Sequence, residues 1–492
     1  MLNISKEDQH IYDTLRYSLL HNKRNIAKNS NPKLREYQLQ DVNFLEKLSR
    51  GKGVFNQQRL GKTPTTLETM RLKKQNNNLI IVPKSTLYQW RREYIKWHGG
   101  PIIELKDSWT KAKRTKAYKE QKGTLITNYE KVRIDYDDIL ENLAPFDAIV
   151  LDEAHYLRNY RGTSNNASTP VTVKAIVNMR KHAKDAYALT GTPTPNKEAD
   201  ICGILAFLFP NLFESYWNTV DYYFTKHEET NPINFKAYYE VGGFQNEYKK
   251  REMLEFLETF SVQRKRKDVM QWLPPVDYEN ILLEPTKKQE RYYKELKEYY
   301  ETDNIICENP LTTMIAMRQI ANLPAILDLD EESPKFNWIQ QHINDYPDKP
   351  MIIVSSFTAI LKRLDYFLES CKTRFIHGKV SASMRHKYIE EFQNGEYNVL
   401  LANIHTVKEG VRLSRAEEII FLDPSLTYTD NEQMSDRFLP TSIEEAVEKE
   451  GQKIIRLILK RSIDTYIHRA LKTKQKKTDI INNYLYHITK RE

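Results

Sequence analysis

At 492 residues and 58.3 kDa the chain exceeds one ordinary core, so two main domains with insertions are expected. Hydrophobic residues at 40% and charged residues at 29% exclude a disordered chain, and no apolar run reaches the about 18 residues a bilayer requires. A net charge of +9 permits a polyanionic partner, and Cys202, Cys307 and Cys371 lie too far apart for a disulfide framework or zinc ribbon, which fits a reducing cytoplasm.

The first 200 residues alternate short β-branched runs with helical patterns, predicting a parallel sheet with crossover helices. Candidate strands are Gly53 to Phe55, Asn78 to Val82, Thr124 to Thr127, Ala148 to Asp152 and Ala186 to Thr190. Ahead of them, LREYQLQDVNFL carries Gln38, whose amide offers both donor and acceptor to an adenine edge, although an exposed helix glutamine reads the same way.

GVFNQQRLGKTPTTL follows the first strand with Gly61, Lys62 and Thr63 at a helix opening. Backbone N–H groups there would surround phosphates, Lys62 would reach the β- and γ-oxygens, and the Thr63 hydroxyl would ligate Mg²⁺. An incidental GKT remains the alternative, since Asn56 stands at the usual first glycine.

The run TKAKRTKAYKEQK, with Lys111, Lys113, Arg114, Lys116, Lys119 and Lys122, is either a phosphate track or a solvated helix face. FDAIVLDEAH then delivers Asp152 and Glu153 to a strand end. Asp152 can hold Mg²⁺ and Glu153 can orient or deprotonate the water that attacks a γ-phosphate; solvated turns also carry such pairs. ALTGTPTPN places Thr190, Gly191 and Thr192 after another strand, as a relay or a capped turn.

From about 201 to 330 the pattern turns to long helical stretches with few strand signals, predicting a helical insertion. Alternation returns at 351–357, 373–378, 398–403 and 417–424, predicting a second α/β lobe over 331–475 and hence a cleft between lobes. A basic tail occupies 476–492.

The ordered series LREYQ, RLGKT, VPKSTLYQW, TNYE, DEAH, LTGTPTPN, HG, EGVRL and EQMSDR resembles superfamily 2 helicases, and most closely their Swi/Snf-like, chromatin-remodeller-type branch. FESYWNTVDYYF, SVQRKRKDVMQWLPP, MRQIANLP and LILKRSIDTYIHRAL are similar to segments of such ATPases, so the resemblance covers roughly residues 30 to 475. It implies two RecA-like P-loop lobes, ATP and Mg²⁺ as cofactors, and translocation on double-stranded DNA. The compact length is similar to that of phage and bacterial members.

Carried over by position, the resemblance implies adenine recognition by Gln38, phosphate and metal binding by Gly61, Lys62 and Thr63, and metal and water handling by Asp152 and Glu153. His155 would couple the lobes. Gly410, Gln433 and Arg437 match the second lobe's motifs, and Arg437 is the arginine-finger candidate. Arg264 to Lys267 are further candidates for DNA contact. Departures are Arg59 for a glycine, His405 for an arginine, and Pro440 for the second arginine of the last motif. Competing expectations are a nucleic-acid-binding ATP switch with little hydrolysis and an RNA helicase.

Overall fold

The structure is a computed structural model that describes residues 31–106, 108–163, 168–194, 197–230, 237–270, 272, 275–303, 305–329, 331, 333–407, 411–440, 443–447, 451–473 and 480. Gly410, Pro195, Asn196 and all but one residue of the basic tail lie outside them. The chain divides into two compact units, with the boundary between Gln271 and Trp272.

In the first unit, β1 (Gly51–Val54), β2 (Asn78–Val82), β3 (Leu125–Asn128), β4 (Phe146–Asp152) and β5 (Ala183–Leu189) form one sheet in the order β3-β2-β4-β5-β1. All pairings are parallel. The reason lies in composition. Runs such as Asn-Leu-Ile-Ile-Val bury every residue, so both sheet faces must be covered, and crossover helices such as Lys62–Leu72 and Leu87–Trp97 cover them. Every strand therefore points its carboxyl end to the same edge, where ligands of open α/β sheets bind.

The 201–330 stretch is not helical throughout. Helices Ile201–Leu208, Tyr216–Tyr223 and Glu247–Phe260 alternate with an antiparallel hairpin of β6 (Phe224–Thr230) and β7 (Ala237–Phe244). Gly203 brings the first of these helices against the turn after β4, since a Cβ there would meet the Leu157 carbonyl oxygen at 2.1 Å. Strand β8 (Ser261–Val262) then adds to β1 as the sheet's sixth strand.

In the second unit, β9 (Val276–Leu283) runs parallel to a later strand along eight residues, which the sequence reading did not separate from the helical pattern. Its position at the sheet edge leaves it half-exposed, so no continuous apolar run marks it. A small ladder of β10 (Glu301–Thr302) and β11 (Ile305–Ile306) follows. Then β12 (Met351–Ser355), β13 (Thr373–Ile376), β14 (Val399–Asn403), β15 (Glu418–Asp423) and β16 (Gln452–Leu459) complete a second parallel sheet, ordered β13-β14-β12-β15-β16-β9. Helices Lys287–Tyr299, Pro310–Asn322 and Ile463–Lys472 build a separate apolar cluster in this unit around Leu296, Met317 and Ile467. No helix among the described residues is long and apolar enough to cross a membrane.

Candidate nucleotide and nucleic-acid site

The carboxyl edge of the first sheet gathers Lys62, Asp152, Glu153, His155 and Thr190. After β1 the chain turns at Arg59 and Gly61, both left-handed with φ of 67° and 72°, and Gly61 caps the helix Lys62–Leu72. This double left-handed turn aims the helix's first N–H groups at the sheet edge, the geometry that accepts a phosphate. Lys62 is buried, and its Nζ donates to the Asn56 carbonyl at 3.2 Å and to Gln58 Oε1 at 3.4 Å. Thr63, half-buried, stands on the first turn beside it.

Asn56 does not act as a spare glycine. Fully buried, its amide donates to Asp41 at 2.8 Å, and Asp41 in turn accepts from Arg264 Nε at 2.7 Å. Residues 262–266 also brace the loop through backbone: Phe55 N–H donates to the Val262 carbonyl and Gln57 N–H to the Arg264 carbonyl. Arg264, a sequence candidate for DNA contact, thus helps to hold the loop that follows β1.

Gln38 lies against the same turn. Its Oε1 accepts from Arg35 N–H at 2.8 Å and its Nε2 donates to the Leu60 carbonyl at 3.2 Å. The side chain is buried rather than an exposed helix glutamine.

At the end of β4, Glu153 adopts a left-handed φ of 52°, which sends the two adjacent carboxylates in different directions. Glu153 Oε1 accepts from Gln58 Nε2 at 3.1 Å, and its Oε2 lies 3.2 Å from His155 Nδ1. The same ring nitrogen is 3.3 Å from Thr190 Oγ1, so His155 joins the acidic pair to the turn after β5. Asp152 instead accepts from the Trp90 indole N–H at 2.7 Å, and its carbonyl accepts from Tyr129 O–H at 2.6 Å.

Burial and then the neighbouring Glu153 charge push the Asp152 carboxyl upward. Burial pushes Glu153 upward too, but the His155 hydrogen bond and the charges of His155 and Lys62 outweigh it, and its carboxyl is held below the usual range. One flexible ammonium, one hydroxyl, two carboxylates and a helix opening form a donor set that fits a nucleoside triphosphate with Mg²⁺, a hard cation that takes one or two carboxylates plus phosphate oxygens.

Of the charged residues in the basic run 110–122, Arg114 alone is buried. Arg114 faces inward, with Nε at 2.6 Å from Asp135, and Tyr118 O–H donates to the same carboxylate at 2.9 Å. Lys111 pairs with Asp138 at 3.1 Å and Lys122 donates to the Asn142 carbonyl at 3.3 Å. Lys113, Lys116 and Lys119 are exposed.

In the second unit Gln433 is buried on the helix Tyr428–Ser435, and Arg437 sits part-exposed in the turn Asp436–Phe438. The Arg437 carbonyl accepts from Leu413 N–H at 2.9 Å, so the end of EGVRL and the last motif are brought together. His405 is exposed with its ring 3.4 Å from Asp430, and Pro440 is buried. Sequence reasoning missed Gln58, Trp90 and Tyr129 as site residues. Trp90 closes one quoted motif and Tyr129 lies inside another, but no local spacing signals a bond to a residue 62 or 23 positions away.

The SNF2-related domain family matches residues 37–326, and the helicase conserved C-terminal domain matches residues 334–439. Among curated relatives, the ISWI chromatin-remodeling complex ATPase ISW2 of Saccharomyces cerevisiae is 26% identical over 446 residues, 82% of this chain and 37% of that protein. An uncharacterized ATP-dependent helicase of Mycoplasma genitalium is 23% identical over 90% of this chain and 41% of its own length. The chain therefore spans less than half of either relative. The SWI2/SNF2 ATPase core of Sulfolobus solfataricus, solved in complex with dsDNA, aligns at 22% identity and a TM-score of 0.41, covering 94% of this chain and 95% of that one.

Proposed function

Because this chain belongs to the SNF2-related domain family, we propose that it is a DNA-stimulated ATPase that hydrolyses ATP to ADP and phosphate in order to move along double-stranded DNA. The observation that carries this reading is the convergence of Lys62 and Glu153 on the shared Gln58 side chain, beside a left-handed turn that opens a helix.

Lys62 would bind the β- and γ-phosphates, the Gly61 turn would offer backbone N–H groups, and Gln38 would face the adenine. Thr63 and Asp152 would hold Mg²⁺, which when bound offsets charge on the phosphates. Glu153, held ionised, accepts a hydrogen bond from the attacking water and takes its proton as the water oxygen bonds to the γ-phosphorus and the bridging oxygen leaves with ADP. His155, within reach of both Glu153 and Thr190, would hold that carboxylate in place. In the second unit, Gly410, Gln433 and Arg437 keep the roles that the family resemblance implies, Arg437 as the finger whose charge would offset that of the transferring phosphoryl group.

Phosphate release measured with and without linear duplex tests the reading. Wild type should be stimulated and Lys62→Ala inactive under both conditions. Absence of stimulation, with wild type and Lys62→Ala equally silent, overturns it. Tight ATP binding without turnover would identify an ATP switch, and stronger stimulation by RNA than by duplex DNA would identify an RNA enzyme.

A further inference from the structure

The helix Leu87–Trp97 has two faces of opposite character. Trp90, Tyr94 and Trp97, spaced four and three apart, point into the core. The outer face shows Tyr88 and Ile95, 58% and 63% exposed, beside exposed Arg92 and Lys96, and exposed Lys84 and Ser85 lead into it. The Arg92 guanidinium lies 5.8 Å from the Tyr88 ring centroid. Exposed cations on one helix face suit a nucleic-acid backbone, without sequence readout.

The inner face reaches the chemistry. Trp90, almost fully buried, gives its indole N–H to Asp152 Oδ2 at 2.7 Å, and Tyr129, which opens the helix after β3, gives its hydroxyl to the Asp152 carbonyl at 2.6 Å. In the strand order β3-β2-β4-β5-β1, both donors arrive from the β2/β3 flank, whereas Gln58 arrives from the β1 flank and holds Glu153. Asp152 is thus gripped by one side of the sheet and Glu153 by the other.

We propose that Trp90, assisted by Tyr129, is a positioning residue through which nucleic acid seated on the outer face of its helix sets the orientation of the Asp152 carboxylate and so the rate of hydrolysis. This rests on the DNA-stimulated ATPase reading above. A rigid helix with Trp90 and Tyr94 locked in the core moves as a body, so load on Tyr88 and Arg92 shifts the indole N–H, and displacements of about 1 Å at a reacting centre change rates by about 10²-fold.

Trp90→Phe keeps an aromatic ring in the core and removes the donor; Tyr129→Phe removes one hydroxyl and no volume. In each, the rate ratio with and without saturating duplex should fall about fivefold or more, while the ATP KM and the duplex Kd stay within about twofold of wild type. Tryptophan emission should also change when duplex is added to nucleotide-free wild type, and that change should be lost in Trp90→Phe. Should Trp90→Phe fail to fold, Tyr129→Phe decides alone. Unreduced stimulation in the folded variants, or an emission change that Trp90→Phe retains in full, overturns the inference. A wild-type enzyme that duplex does not stimulate overturns the functional reading instead.

Discussion

Gly61 and Gln38 share one space: a Cβ built on Gly61 would lie 2.0 Å from Gln38 Nε2. The left-handed turn and the buried amide therefore depend on each other. Gly61→Ala should lower stability by about 1–2 kcal/mol from the left-handed backbone alone and weaken ATP binding further by expelling Gln38. Combining it with Gln38→Ala removes the collision but not the backbone strain, so thermal unfolding of the double variant should stay below that of Gln38→Ala. Equal melting of those two proteins would contradict this account.

Arg59 stands in the left-handed region at φ 67°, where the resembling family has a glycine. The turn is thus retained despite the substitution, at a backbone cost of about 1 kcal/mol that glycine's greater unfolded-state freedom roughly cancels. Arg59→Gly should be nearly neutral in urea unfolding. Arg59→Val, with branching at Cβ, should cost at least about 1 kcal/mol more than Arg59→Gly.

Lys52, wholly buried on β1, pairs with Asp185 of β5 at 2.9 Å. Burial outweighs that partner and pushes the amine down to about 7. Unfolding returns it to about 10.4, so across the interval between these values the unfolded chain binds more protons. Lys52's contribution to stability consequently rises with pH through that window. Urea midpoints of wild type and Lys52→Met should diverge in favour of wild type between neutral and alkaline pH; parallel curves would show that Lys52 stays charged throughout.

Arg318 of the second unit reaches Asp423, the last residue of β15, at 2.6 Å, and both are buried. Lys335, fully buried, closes the cluster with Asp464 at 2.6 Å and the Leu422 carbonyl at 2.9 Å. Breaking one partner of such a pair leaves an uncompensated charge, so Arg318→Met should cost about 3–5 kcal/mol in guanidinium unfolding. A loss below about 1 kcal/mol would mean that Lys335 alone neutralises Asp423.

Arg437 carries the prediction with the largest kinetic effect. As the finger, Arg437→Ala should cut duplex-stimulated turnover by about 10³-fold with little change in ATP KM. If turnover survives, another basic residue offsets the phosphoryl charge, and Arg412, whose guanidinium pairs with Glu445, is the next to substitute.

Much of the first sheet was legible because its information is local. Asn78–Val82 and the end of β4 at Asp152 fall where β-branched runs end in polar loops, and Gly61-Lys62-Thr63 opens a helix as its spacing predicts. The edge strands were not legible: β8 is two residues long, and β9 has no fully buried residue, with Tyr278, Asn280 and Leu282 exposed on one face. Nor was the inward turn of Arg114, because a lysine-rich stretch reads as solvated until Asp135 appears beneath it.

The sequence by itself determined which chemical groups the chain owns and at which strand ends they emerge, since side-chain period and loop chemistry are properties of neighbours along the chain. Only the tertiary structure decided who holds whom. Glu153 meets Gln58 across 95 residues, Asp152 meets Trp90 across 62, and Asp41 meets Arg264 across 223. Those bonds depend on strand order and on crossovers that bring distant loops to one sheet edge, and no periodicity in a linear sequence encodes that juxtaposition.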